Sequence, residues 1–320
     1  MAVFTELTLS DASSVTEAHG LGPTTSLEPI AAGSVNTNYF AVGDFGKRFL
    51  RVYEEQDASG VAYEWALLEH LETAGIPVPR RVRGPGPGVV LVAGKPTALF
   101  ELVHGRELKQ REVTERAASE VGRALGRTHR AVADYGWRRE GRFRRSDLRT
   151  RLDYAESQSR PELFEPIATL RRVLDELDRD EPVGLPTGVT HGDLFRDNVR
   201  FEGDSIAALI DWESAADSVL LYDLAVTMLA WCYGDAFEWD LARAMVRAYD
   251  AERPLTDAEW LAFRFHARAA SARFATTRIT DFHLRSGGVG ERTHRDFRRF
   301  LARLDAVSSL DAAAFAERLR

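Results

Sequence analysis

Apolar and polar positions in the first hundred residues run in short bursts. The stretches SLEPIAAG, NYFAV and RFLRVY around the turn GDFG, and VVLV and TALFELV around AGKP, are rich in branched and aromatic residues and predict strands joined by hairpins. One segment keeps a different rhythm. In VAYEWALLEHLETAG, Val61, Trp65, Leu68 and Leu71 recur at steps of three and four, Gly75 stands where a helix ends, and Pro77 forbids continuation, so a helix is predicted there. From about Glu112 helical spacing takes over: Val113, Ala117, Val121, Leu125, Thr128 and Val132 form one stripe, and further helical patterns follow almost to the end. The pattern predicts an α+β chain of two lobes. A sheet lobe with one helix covers residues 1–103, a connection falls at about 100–106, and a larger, mainly helical lobe covers 107–320.

Inside the helical half, one stretch reverts to strand spacing. Val189 and Thr190, then Asn198 to Phe201, then Ala207 to Ile210 read as short strands, with EGDS as the turn between the last two. This stretch also concentrates polar chemistry, since VTHGDLFRDNVRFEGDSIAALIDWESA holds His191, Asp193, Asp197, Asn198, Asp211 and Glu213. A hairpin with polar groups at both ends presents them on one rim.

Composition narrows the possibilities. With 320 residues, 44% hydrophobic and 28% charged, the chain is long enough for a substantial core in more than one lobe. No apolar run reaches the length of a membrane span, and the N-terminus MAVFTELTLSD has acids where a leader would have bases, which predicts a soluble, cytoplasmic protein with no membrane partner. The single cysteine, Cys232, lies in the apolar context LAWCYG and reads as a packed thiol. A net charge of -7 argues against nucleic acid as a partner. The segment WRREGRFRRSDLRTR, from Trp137 to Arg151, departs from that balance with seven arginines; it reads as a solvated helix face or loop, with a phosphate-backbone contact as the alternative.

Spacing sharpens the polar cluster. Asp193 and Asn198 are five residues apart and Asp211 follows thirteen later, the order of proton acceptor, metal-binding amide and metal-binding carboxylate in kinase-type phosphoryl transfer. Mg2+ is a hard cation that takes oxygen ligands, so Asn198 and Asp211 suit it while nucleotide phosphates and water complete its shell. A hydroxyl nucleophile needs a group to accept its proton, and Asp193 is the candidate. His191 is expected to orient this loop. The same atoms permit two other readings: a metal phosphoesterase with His191, Asp193 and Asp211 around two ions, or a non-catalytic nucleotide-binding module.

HGDLFRDN followed by LIDWE resembles the signature of the aminoglycoside phosphotransferase and choline kinase superfamily, small-molecule kinases of protein-kinase-like fold. Within it, GVTHGDLFRDNVRF, LLYDLAVTMLAWCY and RFATTRITDFHL resemble the type II homoserine kinases. The resemblance implies ATP and Mg2+ as cofactors, a small hydroxyl-bearing substrate, and a monomer or homodimer. The acceptor it implies is L-homoserine, with choline, ethanolamine or an aminoglycoside as alternatives. It also places a basic residue on the third strand against the phosphates and a glutamate on the next helix: here Arg51, where lysine is usual, and Glu64. Arginine still meets phosphate oxygens bidentately. The phosphate loop falls at AAGSVNTNYF, with Gly33, Ser34, Asn36 and Asn38 as donors, and adenine meets the main chain at Phe100 to Val103, Glu101 and Val103 included. For the acceptor, the segment after Asp211 offers Glu213, Asp217 and Trp231, acids beside aromatics that suit an ammonium group. A carboxylate requires a cation, for which Arg278 and Arg273 are candidates. Asp223 is expected to cap a helix.

Overall fold

The computed structural model describes residues 5–30, 35–85, 89–285 and 295–320, which form two compact units. The first comprises residues up to Arg106 together with Arg200–Glu202 and Ala207–Glu213; the rest forms the second.

The first unit is built on a five-stranded antiparallel sheet of order β1-β2-β3-β5-β4, from β1 (Ser26–Ile30), β2 (Thr37–Gly43), β3 (Gly46–Val52), β4 (Val90–Val92) and β5 (Lys95–Phe100). Alternation puts Leu50 and Val52 in a core with Tyr39, Ala41 and Leu99, and turns Arg51 to the other face. The register sets Arg51 opposite Asn38 on one neighbour and Ala98 on the other. Helix α2 (Ala58–Thr73), capped by the Asp57 side chain, buries Val61, Leu68 and Leu71 as its spacing predicts, and Glu64 with them.

A further helix departs from the strand-only reading of the N-terminal stretch. α1 (Leu9–Ala18) starts at a capping box in which Thr8 and Asp11 satisfy each other's backbone amides, and it seals the sheet core with Ala12 and Val15. The signal was the four-residue motif TLSD, since its apolar stripe is too short to stand out.

The second unit is mainly helical. α3 (Glu115–Ala131) lies against α7 (Trp239–Glu252) so closely that a Cβ on Gly122 would fall 2.0 Å from the Met245 carbonyl oxygen, and one on Gly126 would fall 3.0 Å from that of Tyr249. Two glycines four apart leave a groove that lets the helix backbones meet. α4 (Arg145–Ser157) and α5 (Phe164–Arg179) lead to β6 (Thr187–Thr190), and α6 (Leu220–Trp231), α8 (Asp257–Arg278), α9 (Arg298–Ser308) and α10 (Ala312–Leu319) complete the unit. Nearly every residue of α6 is buried.

β7 (Val199–Glu202) and β8 (Ser205–Leu209) pair around the turn, as the pattern predicts. An additional strand, β9 (Ala216–Val219), pairs antiparallel with β6. Its sequence, ADSV, is too short and polar to announce itself. Residues 200–202 and 207–213 pack with the first unit. Arg106 and Phe201 exchange both main-chain hydrogen bonds, at 2.9 and 2.8 Å, and the Leu209 amide donates to the Pro77 carbonyl at 2.8 Å. Among the described residues, no helix is long and apolar enough to cross a membrane.

Candidate active site

In the first unit the chemistry gathers around Arg51. Its Nη1 lies 3.3 Å from Asp211 Oδ1 and 3.7 Å from Glu64 Oε1, and its Nε donates to Asn38 Oδ1 at 3.3 Å. Burial opposes the guanidinium's charge, but the two carboxylates outweigh it, Asp211 first, and hold its pKa above the ordinary value. Asp211 follows β8 with φ of 67°, the left-handed region that side chains seldom enter, although aspartate is among the residues that tolerate it. Glu64, 2% exposed, also accepts from the Tyr53 hydroxyl at 3.4 Å. That hydroxyl's pKa is raised by burial and by Glu64.

Asn36 and Asn38 both have partners within the first unit. Asn36 donates to the Glu213 carboxylate and accepts from the Glu54 amide, while Asn38 donates to the Asn36 carbonyl and accepts from Arg51. Both amides are spent on tying the end of β2 to its neighbours. Glu213 is buried and belongs to the first unit, where Gln56 also donates to its carbonyl at 3.2 Å. Gly33 and Ser34 lie outside the described residues. The Glu101 amide donates to the Arg80 carbonyl at 2.9 Å, and Val103 follows in the connection.

The second unit holds Asp193 and Asn198 in one loop after β6. The Asp193 carbonyl accepts from the Phe195 amide at 2.7 Å and from Asn198 Nδ2 at 2.8 Å, while the Asp193 amide points to His191 Nδ1 at 3.3 Å. His191 is fully buried and orients the loop. Gly192, with φ of 73°, supplies a turn that a side chain would strain.

Behind the loop stands Asp223. It does not cap its helix but sits within α6, fully buried, and accepts from the His191 and Gly192 amides at 2.7 and 2.8 Å. His129 Nε2 reaches the same carboxylate at 3.1 Å, and His129 Nδ1 meets the Tyr249 hydroxyl at 2.7 Å, a contact made possible by the close α3–α7 approach. Burial works to raise the Asp223 pKa, yet His129 and the Gly192 amide hold it below the usual carboxylate value. The sequence held a clue in LLYDLAV, an aspartate in a helix otherwise apolar all round.

The four acceptor candidates separate. Trp231 is fully buried and donates to the Leu194 carbonyl at 3.0 Å, so it supports the loop from beneath. Arg278 lies over the Phe300 ring and donates to the Asp296 carbonyl at 3.2 Å. Burial, then Arg295 and Arg299, push its pKa down to about 10 against the pull of Asp193 and Asp197. Asp217, on β9, accepts from Arg138 Nη1 at 2.5 Å and from the Arg139 amide at 2.7 Å. It lines a cavity of about 620 Å³ in the second unit whose wall includes Thr190 and Gly192, beside Asp193 in the chain. Glu213, as above, is engaged in the other unit.

The arginine run from Trp137 is partly the solvated face its charge implies: Arg149 pairs with Asp178 at 2.6 Å and Arg151 with Asp281 at 2.6 Å. Its first half instead lines the cavity. Cys232 is a free, buried thiol whose pKa burial pushes up. Among the described residues no group of three His, Cys, Asp or Glu side chains is arranged to hold a metal.

Comparison with known proteins adds the following. The model of the phosphotransferase enzyme family matches residues 26–266. The homoserine kinase of Nitrobacter hamburgensis is 35% identical over 286 residues, covering 88% of this chain and 87% of its own, and that of Rhodospirillum rubrum is 36% identical over 290 residues, covering 88% of each. Among solved structures, amicoumacin kinase hAmiN in complex with AMP-PNP, Ca2+ and Ami superposes with a TM-score of 0.68 at 16% identity over 89% of both chains. Choline kinase from Cryptosporidium parvum does so with 0.63 at 16% identity over 91% of both. At such identities these two establish the fold, which is protein-kinase-like and α+β.

Proposed function

The chain belongs to the phosphotransferase enzyme family, and from that premise we propose that it transfers the γ-phosphate of ATP to the side-chain hydroxyl of L-homoserine, giving O-phosphohomoserine. The observation that carries the acceptor is the likeness to homoserine kinases over nearly nine-tenths of the chain.

Asp193 takes the hydroxyl proton as the acceptor oxygen bonds to the γ-phosphorus and the bond to the bridging oxygen of ADP breaks. Its loop is fixed from three sides: the Asn198 amide on its carbonyl, His191 at its own amide, and Asp223 on the two preceding amides. Asn198 spends its Nδ2 on Asp193, which leaves its Oδ1 as a ligand of the type Mg2+ takes; Asp211 offers a carboxylate of the same kind. Asn198 Oδ1 and the Asp211 carboxylate are the groups that would hold Mg2+, which would supply positive charge to the departing nucleotide. Arg51 meets phosphate oxygens and Glu64 holds it in place. The Glu101 carbonyl and the Val103 amide are the main-chain groups for adenine, and Asp217 is the acid for the acceptor's ammonium. The enzyme works in the cytoplasm, as a monomer or homodimer, where ATP is at hand.

The test is ADP release in a coupled assay with ATP, Mg2+ and, in turn, L-homoserine, choline, ethanolamine and an aminoglycoside. Turnover with L-homoserine, reduced about 10²- to 10⁴-fold in Asp193→Asn with the melting temperature unchanged, is the expected result. Turnover with choline alone sinks the acceptor assignment, phosphate release without any acceptor favours a phosphoesterase, and nucleotide binding with no turnover points to a non-catalytic module.

A further inference from the structure

The cavity of the second unit is positively charged. Its lining carries six arginines, five of them from the segment Arg138–Arg145 and the sixth Arg273, against the three carboxylates of Glu140, Glu181 and Asp217. An excess of three positive charges in a concave, partly apolar wall attracts an anion and repels a quaternary ammonium. Choline does not match such a lining.

Arg273 is the member placed to read the ligand. It is 5% exposed, held between the Phe143 and Phe274 rings with its guanidinium carbon 4.1 Å from each centroid, and it donates to the Gly192 carbonyl at 2.5 Å. That bond anchors a cation to the residue next to Asp193. Tyr222, another lining residue, is hydrogen-bonded to Arg273 and within the field of Asp193. Two nitrogens on this wall are buried with no hydrogen-bond partner among the described residues, Arg273 Nε and His266 Nε2. A buried guanidinium N–H such as that of Arg273 is satisfied by a ligand oxygen. Arg278, by contrast, does not line the cavity and is engaged with Asp296 and Phe300.

We infer that Arg273, backed by the arginine segment Arg138–Arg145, binds the carboxylate of the phosphate acceptor, so that the enzyme selects hydroxy amino acids and rejects the matching amino alcohols. The inference rests on the kinase reading above and names the feature of the acceptor that the site recognises. Gly192, whose carbonyl Arg273 meets, immediately precedes Asp193, so a carboxylate held at Arg273 lies near the residue proposed to take the hydroxyl proton.

The experiment compares kcat/KM for L-homoserine with that for 3-amino-1-propanol, which keeps the amine and hydroxyl and lacks the carboxylate, in the wild type, Arg273→Met and Arg273→Lys. A pocket that pairs with a carboxylate discriminates against its absence by about 10³-fold or more, and Arg273→Met should collapse that ratio by roughly 100-fold, chiefly through KM for L-homoserine. Arg273→Lys keeps the charge and should recover part of the ratio. If Arg273 only braces the loop through Gly192, both acceptors lose equally and the unchanged ratio overturns the inference. Should Arg273→Met fail to fold, Arg139→Met removes another cavity arginine and is expected to narrow the same ratio. Calorimetric titration of L-homoserine and 3-amino-1-propanol in the absence of nucleotide separates this inference from the assigned reaction. If neither compound is phosphorylated, tighter binding of the carboxylate-bearing one, weakened about tenfold or more in Arg273→Met, still supports the cavity's role, whereas equal binding ends it.

Discussion

Arg51 shows how one side chain is set by several levels of structure at once. Its face of β3 follows from alternation with Leu50 and Val52, and its ion pair with Glu64 joins a strand to the helix after it. Because Glu64 is almost fully buried, removing the guanidinium leaves a carboxylate in low dielectric without its partner. Arg51→Met is therefore expected to destabilise the protein by about 3–5 kcal/mol, read as a lowered midpoint in chemical denaturation, where Asp193→Asn leaves that midpoint in place. Some of this was legible beforehand: strand parity gave Arg51's side, and spacing put Asp193 and Asn198 in one loop. What the asparagines of the phosphate loop bond to was not, because Asn36 finds Glu213 across 177 positions of sequence, and no local pattern encodes such a meeting.

At the scale of elements, α6 and α8 carry the support of the site. α6 brings Asp223 under the loop that carries Asp193, and α8 brings Arg273 and His266 to the cavity. His266 is 6% exposed, and burial, with Arg145 nearby, lowers its pKa to about 4. Its unfolded value is near 6.5, so between those limits the unfolded chain binds more protons and stability rises with pH. Falling pH thus removes about 3 kcal/mol across that window, and none further below it. Melting temperatures of the wild type should climb from pH 4 to 6.5, and the climb should flatten in His266→Gln; an unaltered slope would place the effect elsewhere. Asp223 acts in a lower range, since its depressed pKa gives stability that persists above the usual carboxylate value and is lost as pH falls beneath it. The helices themselves were readable from their periodicity. α1 and β9 were not, being short and weakly patterned, and neither was the α3–α7 contact, whose cause is a pair of glycines that reads as ordinary sequence until a second backbone is brought against it.

For the whole molecule, the chain passes between two compact units more than once. A change from strand to helix spacing near residue 107 marks where the chain leaves the first unit for a helical one, but pattern along a chain cannot report that a later segment returns. Residues 200–202 and 207–213 do return, through the Arg106–Phe201 pair and the Leu209–Pro77 bond. A fragment ending at Arg106 lacks these partners and the Asp211 carboxylate facing Arg51, and is expected to show no cooperative thermal transition by circular dichroism. Appending residues 199–213 through a flexible linker should restore one. The same return explains why Asp211 arrives already opposite a cation. A carboxylate with a guanidinium at 3.3 Å is a poor trap for a bare ion, because any newcomer must first displace a resident of like sign. A polyanion reverses that rivalry by drawing the guanidinium to itself. On the proposed kinase reading, a nucleotide that drew Arg51 to its phosphates would free the Asp211 carboxylate, so a divalent ion is expected to bind more tightly with nucleotide present than alone.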